Sequence, residues 1–353
     1  MSLLSFNGIG ISGLSAAVPA NTIDNLGYQN GLFGKEAAHD IVSKTGIFER
    51  RFAPPGMCAS DLCFAAAEKL LADLSIDRSE IDLVLFISQT PDYRMPATSV
   101  LLQNRLGLSK QTAAFDVNLG CSAFVYGLSI AFSFLQQGGF RKVLLLDGET
   151  RSRVYSENDR KVAYLFGDGG VAAVLERNKK FGDSYFSLNS DGSRENLIKI
   201  DAGGYRKPSS VDTVASRMVD DFGNVRSEEH GYMNGADVFN FVIDEIPKDL
   251  RRLSEYAETD LHSLDYYIFH QANSYMNNYL VKKLKIPVHK VPTSLERFGN
   301  TSSVSIPLTI VDKLKLQLKE SNNVLLCGFG VGMSWASAIL EMRDCQISDM
   351  VEL

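Results

Sequence analysis

Three residues of this sequence carry polar groups suited to acyl chemistry, and each stands where one structural element is expected to end. Cys121 lies in "NLGCSAF", His270 closes the apolar stretch "YYIFH", and Asn300 lies in "RFGNTSS". A thiol can act as a nucleophile, an imidazole can move a proton, and a carboxamide can donate to a developing oxyanion. In α/β sheets such groups collect at the carboxyl ends of strands.

Cys121 is the candidate nucleophile. A thiol in the first turn of a helix lies near unpaired N–H groups and the positive end of the helix dipole, and both favour the thiolate. The alternative is a small buried side chain without chemistry. We expect that structural role for Cys58, Cys63 and Cys327, which lie inside apolar periodic runs. For Cys121 the local sequence alone leaves both interpretations open.

His270 and Asn300 also have plain structural interpretations. His270 could cap a helix or be a hydrogen-bonded core histidine, and Asn300 could be a turn residue or an N-cap. The glycine-rich turn "CGFGVGMSW" follows a predicted strand and leads into another strand, so it is not a dinucleotide loop. Such a turn would bring backbone N–H groups close to a substrate oxygen.

The order Cys, His, Asn also occurs in papain-like hydrolases. That class places a Trp or Tyr directly after a cysteine near the N-terminus, whereas Cys121 lies in mid-chain and is followed by Ser122. The sequence context therefore disfavours a papain-like site.

Alternating strand and helix patterns must position these residues. The first half predicts strands at 81–88, 113–117, 142–148 and 170–176 and a helix at 60–74. The second half predicts helices at 236–257, 273–285 and 305–318 and strands at 266–270, 322–329 and 334–342. This alternation indicates an α/β fold with helices packed on parallel sheets.

The length of 353 residues favours two halves rather than one core. We place the join in 176–192, where charges and glycines interrupt the apolar pattern, so the halves are 1–180 and 181–353. The polar stretch 201–235 is expected to cross the surface.

Composition excludes several classes of protein. The chain is 45% hydrophobic and 22% charged, and its net charge of −6 without a long Lys/Arg run argues against nucleic-acid binding. Five cysteines without a C-x-x-C pair disfavour disulfides and a zinc site, and indicate a reducing compartment. No basic residue precedes Lys35 and no apolar run approaches a membrane span, so we expect a cytoplasmic protein outside the membrane.

Seven stretches together resemble the β-ketoacyl-acyl-carrier-protein synthase III family of the thiolase superfamily. In chain order they are "KTGIFERR", "TPDYRMPATSVLLQNRLG", "DVNLGCSAFVYGLS", "LFGDGGVAAVL", "HQAN", "RFGNTSS" and "GFGVGMSW", spread over residues 44–335. Each stretch alone is weak, but their order and spacing are specific. The resemblance implies a thiolase-like, five-layered αβαβα fold of two similar halves with mixed sheets.

The resemblance also implies roles for the polar residues. Cys121 would accept the acyl group of a thioester, while His270 and Asn300 would stabilise the enolate formed when a malonyl thioester loses CO2. The backbone N–H groups of Cys121 and Val331 would form the oxyanion hole. No metal or redox cofactor is implied.

Substrate and partner contacts are implied as well. Phe166 matches an aromatic near the active cysteine, and Met95 matches a residue that reaches the partner's acyl pocket in a homodimer. Lys44 and Arg160 match basic residues near coenzyme A, while Lys282 and Lys283 would keep basic character for docking an acyl carrier protein.

The binding residues depart from the family pattern more than the catalytic trio does. Asp40 stands where a tryptophan usually stacks on adenine, Lys44 replaces an arginine, Ala236 an asparagine, and Tyr275 a basic residue. Val331 and Ala336 occupy positions where glycine is usual.

These features predict decarboxylative condensation of an acyl-Cys121 with a malonyl thioester, which we expect to be malonyl carrier protein. Acetyl-CoA is expected to be a poor acyl donor, and a longer acyl chain on coenzyme A or a carrier protein a faster one. The alternatives are acyl transfer from Cys121 to a hydroxyl or amine, and a non-catalytic partner subunit.

Overall fold

The computed structural model describes residues 2–27, 33–319 and 322–353. Its α-helices are α1 (Lys35–Thr45), α2 (Ala59–Asp73), α3 (Thr98–Arg105), α4 (Ala123–Gln136), α5 (Gly235–Tyr256), α6 (Ser274–Leu284), α7 (Leu295–Phe298) and α8 (Ser305–Lys313). Its strands are β1 (Ser2–Asn7), β2 (Ile9–Val18), β3 (Thr22–Asp24), β4 (Glu49–Arg51), β5 (Ile81–Ile87), β6 (Ala113–Val117), β7 (Lys142–Thr150), β8 (Asp168–Arg177), β9 (Asp183–Ser190), β10 (Ile198–Lys199), β11 (Arg217–Met218), β12 (Val225–Arg226), β13 (Tyr232–Met233), β14 (Tyr266–Phe269), β15 (Asn322–Gly330), β16 (Ser334–Met342), β17 (Gln346–Ile347) and β18 (Val351–Glu352).

Two mixed sheets organise the chain. The first has the order β17-β2-β8-β7-β5-β6, with β18 also on β2, and the second has the order β1-β9-β16-β15-β14. Strands β5, β6 and β7 pair in parallel, as do β14 and β15, whereas β8 and β16 pair antiparallel with their neighbours. The expectation of mixed sheets is therefore confirmed, and wholly parallel sheets are wrong.

Helices cover both outer faces and fill the space between the sheets. Helices α4 and α8 lie between the two sheets and share one apolar core with them, including Phe124, Phe132 and Ile310. Helices α2 and α3 cover the outer face of the first sheet, and α5 and α6 that of the second. The five layers α-β-α-β-α predicted from the resemblance are confirmed.

Most elements near the site form where the apolar pattern predicts them, and one helix boundary is corrected. The predicted join at 176–192 contains β9, an inner strand between β1 and β16. The helix predicted over 305–318 ends at Lys313, because Leu314 leaves the helical conformation and a short 3-10 turn follows at 317–319.

The terminal strands cross between the sheets. Strand β1 pairs with β9 in the second sheet, while β17 and β18 pair with β2 in the first. Position 180 lies between β8 and β9, and the division into 1–180 and 181–353 stays a prediction. Within the described ranges, no helix combines the length and apolarity that crossing a membrane requires.

Candidate active site

Cys121 lies in a tight connection between β6 and α4. It precedes the N-cap Ser122, so it stands just before the helix rather than in its first turn, which corrects the expected placement. Only 8% of the residue is exposed. The Ser122 hydroxyl lies 2.7 Å from the Ser334 hydroxyl, which donates to the Val331 carbonyl at 3.0 Å. The start of the helix is thereby tied to the glycine-rich turn.

Gly330 lets that turn approach the thiol. A Cβ atom built on Gly330 would lie 2.8 Å from the Sγ atom of Cys121, closer than side chains tolerate. The next residue is Val331, whose Cγ1 atom would lie 2.1 Å from a Cβ atom built on Gly120. The backbone around Val331 therefore packs against Cys121, as an oxyanion hole formed by the two N–H groups requires.

The thiol of Cys121 is more acidic than an ordinary one. Burial by itself would raise its pKa, but attraction to and a hydrogen bond with His270, the charge of Arg151 and a contact with Ser302 lower the pKa to about 7. The Sγ atom lies 3.6 Å from the Ser302 hydroxyl oxygen. Since the thiolate is the nucleophilic form, the lowered pKa favours nucleophilic chemistry at Cys121 near neutral pH.

His270 directly follows β14 and is 2% exposed. Its backbone N–H donates to the Cys327 carbonyl at 2.8 Å, and its Nδ1 atom lies 2.8 Å from the Ser305 hydroxyl. The ring meets Phe329 edge-on at 5.6 Å. With Nδ1 held by Ser305 at the start of α8, the Nε2 atom is the ring nitrogen left to meet the Cys121 thiol or a substrate.

Asn300 is held by its backbone in an isolated parallel β-bridge with Phe166, just before β8. Its N–H donates to the Leu165 carbonyl at 2.8 Å, and its own carbonyl accepts from the Gly167 N–H at 3.1 Å. The preceding Gly299 has a φ of 63°, and a Cβ atom there would lie 2.7 Å from the Leu165 oxygen, so glycine is required.

The Asn300 side chain is oriented by two contacts. Its Oδ1 atom accepts from the Ser302 N–H at 2.9 Å, and its Nδ2 atom lies 3.4 Å from the Ala272 carbonyl oxygen. Because a carboxamide nitrogen carries two hydrogens, this geometry leaves a donor for a substrate carbonyl.

One pocket brings the predicted trio together. It holds about 610 Å³ of empty space, part of it open to solvent, and is lined by Cys121, His270 and Asn300 together with Phe166 and Val331. Phe166 stacks on Tyr155 with ring centroids 3.9 Å apart. The rest of the pocket lining is mainly apolar, which disfavours water beside the thiol.

Several residues predicted to bind substrate or partners lie outside this pocket. Lys44 and Asp40 form an exposed ion pair with a separation of 2.8 Å. The guanidinium carbon of Arg160 lies 5.8 Å from the ring centroid of Phe222, which belongs to the polar stretch 201–235. Met95 is 76% exposed between β5 and α3.

Two of the positions that depart from the family pattern lie at the pocket mouth. Ala236 and Tyr275 line a groove that shares Gly235, Asn273 and Met276 with the catalytic pocket. Lys282 and Lys283 are exposed on α6, which forms one side of this groove. The other altered glycine position, Ala336, is buried in β16 opposite Gly328.

Sequence reasoning missed three residues that shape the site. Arg151 and Tyr155 line the pocket, and Ser305 holds His270. The rule that singled out His270 also applies to Arg151, because it directly follows β7 at the carboxyl end of that strand. Nothing comparable in the sequence points to Tyr155 or Ser305.

The acidity of Cys121 predicts a distinctive pH profile. Alkylation of Cys121 by iodoacetamide should rise with pH around a midpoint near pH 7, because its pKa is lowered from 9.0 to about 7. Cys58 is an internal control, because burial and nearby carboxylates raise its pKa above 9.0. Peptide mass spectrometry after timed labelling measures both sites in one sample.

The same profile tests the role of His270. A His270→Ala variant should shift the Cys121 midpoint upward, since attraction to the imidazole is lost. A Cys121 midpoint at or above that of Cys58 in the unmodified protein would contradict the lowered pKa of Cys121.

No group of three or more His, Cys, Asp or Glu side chains in the described part of the chain is arranged to hold a metal ion.

Known proteins match this sequence and this fold. Residues 115–192 match the family model described as 3-oxoacyl-[acyl-carrier-protein] synthase III, and residues 255–342 match the model of its C-terminal part. A β-ketoacyl-[acyl-carrier-protein] synthase III of Fusobacterium nucleatum is 32% identical over 335 residues, covering 94% of this chain and 98% of that protein.

Solved structures agree with the sequence match. A 3-oxoacyl-(acyl-carrier protein) synthase from Burkholderia xenovorans superposes with a TM-score of 0.93 at 38% identity, covering 99% of both chains. The priming β-ketosynthase of the R1128 polyketide biosynthetic pathway superposes with a TM-score of 0.82 at 28% identity, covering 96% of this chain and 97% of its own.

Proposed function

This chain belongs to the β-ketoacyl-[acyl-carrier-protein] synthase III family, and from that premise we propose that it condenses an acyl thioester with malonyl carrier protein. The observation that carries the proposal is the shared pocket: a buried thiol with a pKa of about 7 lies beside an imidazole and a carboxamide. It is a condensing transferase that uses no cofactor.

The first half-reaction loads Cys121. Its thiolate attacks the thioester carbonyl, and the resulting oxyanion accepts hydrogen bonds from the N–H groups of Cys121 and Val331. The carbon–sulfur bond to the donor then breaks, and the donor thiolate leaves and takes up a proton. The acyl group remains on Cys121 as a new thioester.

The second half-reaction forms the carbon–carbon bond. The malonyl thioester carbonyl accepts hydrogen bonds from His270 Nε2 and Asn300 Nδ2 while its carboxylate leaves as CO2. The electron pair of the broken bond forms an enolate, which these two donors stabilise. The enolate carbon attacks the acyl carbonyl, and Cys121 departs as the thiolate.

Partners and assembly belong to the same proposal. Exposed Lys282 and Lys283 on α6 suit the docking of an acidic carrier protein beside the pocket mouth. Exposed Met95 suits a contact with the second subunit of a homodimer. Lys44 and Arg160 would meet the coenzyme A part of a donor.

Product analysis tests the proposed reaction. The protein is incubated with acyl thioester donors and malonyl carrier protein, and CO2 release and 3-oxoacyl carrier protein are followed together. Both are expected, and the product mass should correspond to the acyl donor plus two carbons. Acyl transfer to a hydroxyl or amine without CO2 release would instead establish the alternative acceptor chemistry.

Acetyl-CoA is expected to acylate Cys121 more slowly than octanoyl-CoA. Asp40 replaces a stacking aromatic and pairs with Lys44, so coenzyme A itself is held weakly. A longer chain adds about 0.8 kcal/mol for each buried CH2 group. Rates of adduct formation, measured side by side by intact mass, decide the order.

An Asp40→Asn variant is the matched control for that comparison. Releasing Lys44 should lower the KM for both coenzyme A donors by a small factor, since exposed charges contribute under about 1 kcal/mol. Their ratio should not change. If acetyl-CoA is the fastest donor, the expected preference for longer chains is wrong.

A further inference from the structure

Arg151 places a positive charge beside the nucleophile in a largely apolar pocket. The residue is 6% exposed and follows β7 directly. Its guanidinium lies over the rings of Tyr155 and Phe166, at 5.3 Å and 5.8 Å from their centroids. Cys121 lines the same pocket.

The hydrogen-bonding capacity of Arg151 is not used up. One Nη atom donates to the Tyr155 hydroxyl at 2.8 Å and the other to Gln89 Oε1 at 3.4 Å, and both of these partners are neutral. The Nε atom is buried without a hydrogen-bond partner among the described residues. A buried donor left unpaired costs free energy unless a ligand or water satisfies it.

The carboxylate of Glu149 is already engaged. Its two oxygens accept from the Gln89 N–H at 3.0 Å and from the Thr90 hydroxyl at 2.9 Å. Burial would lower the pKa of Arg151, but attraction to Tyr155, Glu149 and Cys121 outweighs this and raises it, so the guanidinium stays charged.

A second chamber continues the catalytic pocket past Arg151. It holds about 740 Å³, part of it open to solvent, and shares Arg151, Tyr155, Ile198 and Val331 with the catalytic pocket. Gln89, Asn118 and Lys199 also line the chamber, so its lining is more polar on this side. Lys199 already pairs with Glu195 at 3.3 Å.

The groove and the second chamber both extend the catalytic pocket, and they suit different parts of a thioester. The groove that contains Ala236 and Tyr275 opens beside the basic helix α6, where we place the carrier. A donor arm that enters there would reach Cys121, and the part of the pocket lined by Arg151 and the second chamber is left for its acyl chain. The distal part of the acyl group would then meet the guanidinium.

We propose that Arg151 selects an acyl group that carries a carboxylate at its far end. The proposal rests on the acyl transfer proposed above. The bonds made and broken are those of the loading step: the Cys121 sulfur–acyl bond forms, the donor carbon–sulfur bond breaks, and the carboxylate stays intact. It pairs with the guanidinium through the Nη hydrogens that Tyr155 and Gln89 leave free, which an apolar chain cannot do.

The test compares donors of equal chain length with and without the carboxylate. Succinyl-CoA is compared with butyryl-CoA, and adipyl-CoA with hexanoyl-CoA, at pH 7 and constant ionic strength. Each rate of Cys121 adduct formation is divided by the rate with N-acetylcysteine, which removes differences in intrinsic reactivity. We expect the carboxylated donor to be favoured by about tenfold or more in at least one pair, the size of a buried charge-assisted hydrogen bond.

Two variants separate selection from other effects of the charge. Arg151→Met should abolish the preference while still accepting the neutral donor. Arg153→Met is the matched control, because Arg153 lies on the same 3-10 turn but is exposed and donates to the Pro54 carbonyl at 2.6 Å. It should keep the preference unchanged.

Two outcomes would overturn the proposal, and a third would overturn the acyl transfer on which it rests. If Arg151→Met slows carboxylated and neutral donors by the same factor, Arg151 only stabilises the Cys121 thiolate and the proposal is wrong. Equal normalised rates for both members of each pair in the unmodified protein would also overturn it. If no thioester of any kind acylates Cys121, the acyl transfer itself fails instead.

A second readout needs no thioester recognition. Iodoacetate and iodoacetamide alkylate thiols alike but differ in charge, so the ratio of their rates at Cys121, divided by the ratio for N-acetylcysteine, reports anion attraction. We expect Arg151→Met to lower that ratio several-fold and Arg153→Met to leave it unchanged. A ratio insensitive to Arg151 contradicts an anion site beside the thiol.

Discussion

Replacing Cys121 by alanine is expected to remove the acyl adduct and to lower condensation by about 10⁴-fold or more. Cys121 combines burial in the pocket with a pKa lowered to about 7. Burial raises the pKa of Cys63, Cys327 and Cys345, and that of Cys345 reaches about 12. Intact mass after exposure to acyl thioesters, followed by peptide mapping, measures the adduct.

Cys58→Ser is the matched control for that experiment. Cys58 is the N-cap of α2, and its backbone N–H donates to Asp61 Oδ2 at 2.8 Å, a contact that serine keeps. Serine removes the one cysteine of intermediate exposure, whereas the other four, Cys121 included, are buried. This variant should form the adduct as the unmodified protein does. An adduct that persists in Cys121→Ala, or one that maps to Cys58, would refute the role of Cys121.

Asn300→Ala is expected to separate the two half-reactions. The variant should still accept an acyl group on Cys121, but CO2 release from malonyl carrier protein should fall about a hundredfold or more, since one fixed donor to a developing oxyanion is typically worth about 2.7–4 kcal/mol. Single-turnover acylation and radiolabelled CO2 release measure the two steps independently.

A second substitution distinguishes catalysis from turn formation. Asn300→Asp keeps an oxygen that can accept from the Ser302 N–H but removes the Nδ2 donor. It should preserve the folded turn, measured by Tm, and still lose CO2 release. Normal CO2 release in either variant would show that Asn300 only shapes the turn.

Local sequence patterns predicted the elements that carry the site. Strand β6 and helix α4 have continuous apolar patterns that depend little on distant residues, so the connection that holds Cys121 could be located directly. The same holds for β14 and His270, because a β-branched and aromatic run ends at that residue. The sequence motifs then predicted the family, which the comparisons confirm, and the trio, whose roles stay a prediction.

These local patterns could not predict which distant strands pair with each other. Strand β9 lies in a stretch with charges and glycines, and its register depends on β1 and β16, which are far away in the sequence. The crossing of the terminal strands has the same cause. Hydrogen bonds between strands are non-local, so the residues of one strand do not specify its neighbours.

The sequence by itself determined that this protein has an α/β fold and which three residues could perform acyl chemistry, because motifs and periodicity are local properties. Only the tertiary structure decided how the surrounding charges act. Arg151 and Arg153 stand two positions apart in "TRSR", yet packing buries one guanidinium beside Cys121 and leaves the other in solvent. Burial removes water from a charge and strengthens its interactions, and burial is set by contacts between distant segments.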